Sequence, residues 1–212
     1  MIKSLFKGSL TIPNLLSVIR IILIPVFAYM FLEGNQVVAL VILFVSGLTD
    51  LFDGKIARKF NQVSELGKIL DPVADKLTQI TIAIMLFILF RNSSNETINA
   101  FGWVFLVFLI KEAVMIVGGL IMLLFNIKPG AAELPGKVAT GAFYAIMIAI
   151  IGFGPEVGVL TNLWVMPDLL CGILVVISAI LTLVAFASYM PETFRQFKER
   201  FSKKQTETSE KK

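Results

Sequence analysis

Long apolar runs, separated by short polar or turn-forming stretches, make up most of the chain. Stretches at 14–33, 36–53, 68–90, 101–125, 136–154 and 168–190 each come near the roughly 20 residues a helix needs to cross about 30 Å of hydrocarbon. Gly34-Asn35, Arg91-Asn92-Ser93-Ser94-Asn95, Pro129-Gly130 and Pro155-Glu156 fall between them, and these residue types turn a chain. The pattern predicts an all-α, polytopic membrane protein with six transmembrane helices over 13–190 and no soluble domain.

The two ends read differently. Residues 1–12 set Ile2, Leu5 and Phe6 against Lys3 and Lys7, too short to cross a bilayer, and predict an amphipathic helix lying on the membrane surface. Over 191–212, Phe194, Phe197 and Phe201 recur at helical spacing among Arg195, Lys198 and Arg200, again a surface-lying pattern. From Lys203 the composition turns polar and predicts disorder.

Composition narrows the classes. Of 212 residues, 57% are hydrophobic and 16% charged, which fits a membrane protein. The net charge of +4 sits in short clusters rather than on one surface, so no nucleic-acid partner is expected. Histidine is absent, which removes imidazole as base or metal ligand, and Cys171 alone cannot form an intrachain disulfide. In a six-span layout the basic residues at 3, 7, 55, 58, 59, 68, 128, 137 and 195 onward share one side, and Arg91 takes the other. Positive charge favours the cytoplasm, so both termini are expected there in a multi-pass protein of the cell membrane.

Against this apolar background stand Asp50, Asp53, Asp71 and Asp75. An ionised side chain costs about 2.5–3.5 kcal/mol at mid-helix on insertion scales, so four of them argue for a polar cavity with compensating cations. Asp50 and Asp53 are three apart and Asp71 and Asp75 four apart, which puts each pair on one helix face. The intervening segment lets the two helices run antiparallel with the acidic faces turned together. Four oxygen donors without a soft ligand suit Mg²⁺ or Mn²⁺. Gly54 and Ala57 allow a bulky ligand close to the backbone, and Arg58 offers a planar fork for phosphate oxygens. Metal, close approach and guanidinium together describe a diphosphate site.

The pattern D-x2-D-G-x2-A-R-x8-G-x3-D-x3-D runs without a gap from Asp50 to Asp75 and resembles the signature of the CDP-alcohol phosphatidyltransferases, integral membrane enzymes of phospholipid synthesis. The stretch from Ile12 to Arg20 is similar to the first helix of that family. The resemblance implies six helices, a cytoplasm-facing polar cavity, a homodimer, and two substrates, CDP-diacylglycerol and an alcohol. It implies that Asp50, Asp53, Asp71 and Asp75 hold the metal, that Asp75 is the general base, and that Gly54, Ala57, Arg58, Ser64 and Gly67 join Asp50 in the CDP pocket, helped by Asn14 and Ser17.

For the acceptor, Lys111-Glu112 and the stretch from Gly136 to Thr140 occupy places where phosphatidylglycerophosphate synthases carry basic residues for glycerol 3-phosphate, which makes Lys111, Lys137 and Thr140 the candidates. The chain departs from that pattern, with lysine rather than arginine at 111, Ala139 for a second lysine and Phe143 for a glutamine. The stretches at 46–58 and 61–67 are also similar to cardiolipin synthases, whose acceptor is phosphatidylglycerol. The rival from another class is an ion transporter, but such proteins spread their acids among helices, whereas here they share one junction.

Overall fold

The computed structural model describes the backbone of residues 11–60, 62, 64, 66–124 and 134–210; the side chains at 51, 53, 54, 57, 58, 68, 123, 124, 197 and 199–210 lie outside the description. Among the described residues there are six helices and no strand: α1 (Ile12–Leu32), α2 (Gln36–Lys59), α3 (Gly67–Arg91), α4 (Glu96–Leu124), α5 (Leu134–Phe153) and α6 (Asp168–Glu210). Five are long and apolar enough to cross a membrane, and α2 carries a shorter apolar stretch, Gln36–Asp50, among the described residues. At about 1.5 Å per residue, the 24 residues of α2 still reach about 36 Å. The protein is thus an all-helical, polytopic membrane protein.

Local signals set the helix starts. Thr11 caps α1 by accepting the Asn14 N–H at 3.3 Å, and Pro13 fits the first turn, where its missing N–H costs nothing. Gly34, at φ +78°, makes the left-handed turn between α1 and α2. The start of α4 comes five residues before the expected 101 because Asn95 is an N-cap, its Oδ1 accepting the N–H groups of Thr97 and Ile98 at 3.0 and 3.3 Å.

At the ends, expectation and structure part. The surface helix expected over 1–12 lies outside the described residues, apart from Thr11 and Ile12, which cap and open α1. At the other end the backbone continues as one helix past Pro191 to Glu210, where composition predicted disorder. The polar tail is rich in Lys, Gln and Glu, which lose little side-chain freedom in a helix, and it extends one already nucleated.

Packing explains how the acidic positions are arranged. The first helix lies along both α2 and α3, whereas α2 and α3 do not pack closely on each other among the described residues. Close α3–α4, α4–α6 and α5–α6 contacts complete the bundle, with α5 touching α2 more lightly. Its core is aromatic: Phe90 meets Phe105 edge-on at 5.4 Å, and Phe108 stacks on Phe143 at 4.7 Å. The end away from the acidic residues is closed by the segment between α5 and α6, where Ser93 donates to Glu156 at 2.5 Å, Asn95 to Asp168 at 2.6 Å, and Met166 N–H to the Phe153 carbonyl.

Candidate active site

Three polar residues recur at every third position of the otherwise apolar α1: Asn14, Ser17 and Arg20, all buried, with Arg20 at 0% exposure. Burying such groups in hydrocarbon is unfavourable unless each finds a partner. Arg20 Nη1 donates to Asp50 Oδ1 at 2.6 Å, so the second helix is tied through its carboxylate. Ser17 Oγ lies between the Pro13 carbonyl, at 3.0 Å, and Asp71 Oδ1 on α3, and its single proton serves one acceptor at a time. Asn14 Nδ2 donates to Ser64 Oγ at 2.8 Å, and the same hydroxyl accepts the Gly67 N–H at 2.9 Å. A Cβ added at Gly67 would meet Asn14 Oδ1 and Ser64 Oγ, so any larger residue there has to displace the Asn14 amide.

Asp75, one turn beyond Asp71, is held by side chains. Gln79 Nε2 donates to both of its carboxylate oxygens at 3.0 Å, and Tyr144 Oη on α5 donates to Oδ1 at 3.4 Å. Gln79 also reaches Thr140 Oγ1 at 3.5 Å, which joins one acceptor candidate to the base candidate. Asp50 is near enough to Asp75 for their charges to repel, and Lys76 and Arg20 near enough to attract it. Neither Gln79 nor Tyr144 was singled out in the sequence. The available signal was spacing: Gln79 lies four residues after Asp75 in an apolar run, and Tyr144 four after Thr140.

The structure thus gathers Asn14, Ser17, Asp50, Ser64, Gly67, Asp71, Asp75 and Thr140 where α1, α2, α3 and α5 meet. The side chains of Asp53, Ala57 and Arg58, and the position of Gly54 as a lining residue, lie outside the described residues, though all four belong to α2. Among the described residues α2 and α3 do not pack closely on each other, each is bound to α1, and no three carboxylates lie together as a metal-binding group. Asp50 turns to Arg20, Asp71 to Ser17 and Asp75 to Gln79. The donor set, all carboxylate and hydroxyl oxygen, still suits a hard divalent ion.

The acceptor candidates divide. Lys111 is buried, ion-paired with Glu112 and set over the Phe108 ring at 4.8 Å. Lys76 pairs with the same Glu112 at 3.0 Å. Lys137 is exposed at the start of α5. Ala139 and Phe143, where the resemblance anticipates lysine and glutamine, are core residues here, 4% and 1% exposed, and Phe143 is occupied in stacking on Phe108.

The fold is that of a membrane-embedded helical bundle whose described carboxylates are held by polar partners at one end. The model of the CDP-alcohol phosphatidyltransferase family matches residues 10–184, and the chain belongs to that family, a transferase family of phospholipid biosynthesis. It is 32% identical over 193 residues to the CDP-diacylglycerol–glycerol-3-phosphate 3-phosphatidyltransferase of Aquifex aeolicus, covering 90% of this chain and all of that protein. It is 35% identical over 152 residues to the CMP-forming cardiolipin synthase of Streptomyces coelicolor, covering 68% of this chain and 67% of that protein. Against the human CMP-forming cardiolipin synthase identity is 51%, but over 75 residues, 35% of this chain and 25% of that protein.

Proposed function

We propose that the protein transfers the phosphatidyl group of CDP-diacylglycerol to the hydroxyl of glycerol 3-phosphate, releasing CMP and forming phosphatidylglycerophosphate. The observation that carries this is the convergence of Asp50, Asp71 and Asp75 on the polar stripe of α1 and on Gln79. The acceptor oxygen attacks the phosphorus bonded to diacylglycerol, the bond from that phosphorus to the CMP oxygen breaks, and CMP leaves with the electron pair. Asp75 takes the proton of the acceptor hydroxyl. Gln79 and Tyr144 aim its carboxylate, and Arg20 offsets the charge of Asp50. Asn14, Ser17, Ser64 and Gly67, with Gly54, Ala57 and Arg58, line the CDP pocket. Asp50, Asp53, Asp71 and Asp75 would hold Mg²⁺ or Mn²⁺, which would supply positive charge against the diphosphate. The working assembly is a homodimer in the cell membrane, with both termini and the site on the cytoplasmic side.

Lys111, Lys137 and Thr140 receive the acceptor. Glycerol 3-phosphate is favoured by the match to the Aquifex aeolicus protein along its entire length. Phosphatidylglycerol is the second reading, favoured by the higher local identity to cardiolipin synthases. The test supplies purified protein with CDP-diacylglycerol, Mg²⁺ and each acceptor separately, and identifies the lipid formed. Phosphatidylglycerophosphate is expected; cardiolipin alone overturns the acceptor assignment, and no CMP release with either overturns the reaction.

A further inference from the structure

Lys76, Lys111 and Glu112 form an ionic cluster on the seam between α3 and α4. The Glu112 carboxylate is fully buried and is shared by two ammonium groups: Lys76 Nζ at 3.0 and 3.2 Å from its oxygens, and Lys111 Nζ against Oε1. Two ammonium groups share one carboxylate, and the second positive charge is met by Asp75, which Lys76 follows directly and whose charge both lysines feel. An ammonium has three N–H donors, and the contacts to Glu112 leave each lysine capacity for a further oxygen. Lys76, with 29% of its side chain exposed, is the open side of the cluster.

We infer that Glu112 is a positioning residue, holding Lys76 and Lys111 side by side as the receptor for the phosphate carried by the acceptor alcohol. This rests on the transfer reading above, and it brings Lys76 and Glu112 into recognition of the acceptor. The recognised chemistry is a phosphate oxyanion a short distance from the attacking hydroxyl, whether on free glycerol 3-phosphate or in the headgroup of phosphatidylglycerol. Without the carboxylate the two ammonium groups repel and the receptor spreads, while the donor pocket on α1–α3 keeps its contacts.

The test compares full-length wild type, Glu112→Gln and Lys76→Met, using the Michaelis constant for each acceptor, that for CDP-diacylglycerol, and the thermal unfolding midpoint. Lys76→Met covers the case in which the buried substitution fails to fold. Loss of a charge-assisted contact predicts a rise of about tenfold or more in the acceptor KM, with the donor KM within about twofold. The rise falls on glycerol 3-phosphate if the phosphate is the free one, and on phosphatidylglycerol if it is the lipid's. Folded variants whose acceptor KM is unchanged, or that lose kcat alone, overturn the inference while leaving the transfer intact. A wild type inactive with both acceptors fails at the transfer reading instead.

Discussion

A single carboxylate carries most of the proposed chemistry, and its neighbours show what the sequence concealed. General acid–base groups contribute about 10²–10⁴-fold to rate. Asp75→Asn should therefore cost about that much in kcat and leave the unfolding midpoint near wild type, read by CMP release and thermal denaturation. Tyr144→Phe and Gln79→Leu each remove a donor that orients the carboxylate; a fall of about tenfold or more in kcat, with donor KM little changed, is expected in steady-state kinetics. Gly67→Ala places a methyl against Asn14 Oδ1, so a raised KM for CDP-diacylglycerol is the measurable outcome. Asp75 was legible because four acids in an apolar chain are conspicuous. Gln79 and Tyr144 were not, because one glutamine in an apolar helix, or one tyrosine among apolar residues, reads equally well as packing, and only the fold shows which partner it meets.

At the scale of helices, the register of polar residues along α1 fixes where α2 and α3 sit. Removing one partner of a buried ion pair costs about 3–5 kcal/mol, and the quarter exposure of Asp50 brings the estimate for Arg20→Met to about 2–3 kcal/mol. A lower unfolding midpoint measured in detergent checks it. The bounds of α1, α3 and α5 were read from the sequence to within two residues, since length and apolarity are set by the bilayer. The start of α4 was missed because the asparagine that caps a helix also marks a loop, and the helical end of α6 because composition does not register the nucleus it extends. Packing also explains a departure from the resemblance: Phe143→Gln, which restores the anticipated residue, buries an amide in an aromatic stack and should destabilise by about 2–4 kcal/mol.

Over the whole molecule, the proposed reading sets the donor groups mainly on α1–α3 and the Ser64 turn, and the acceptor groups Lys111, Lys137 and Thr140 on α4 and α5, with Lys76 of α3 joining the acceptor side. The far end is closed by hydrogen bonds from Ser93 and Asn95 to the α5–α6 segment and the start of α6. The sequence singled out the acidic positions, but not that α1 packs against both of the helices that carry them.

That position of α1 bears on how the chain enters the membrane. Translation delivers Arg20 before Asp50 exists, so the guanidinium must wait in the translocon or in lipid, at an insertion penalty of about 2.5–3.5 kcal/mol offset by the apolar residues around it. Nascent chains arrested after Leu32 should consequently integrate less firmly than those arrested after Arg91, because the first three helices leave the insertion machinery most stably as one unit.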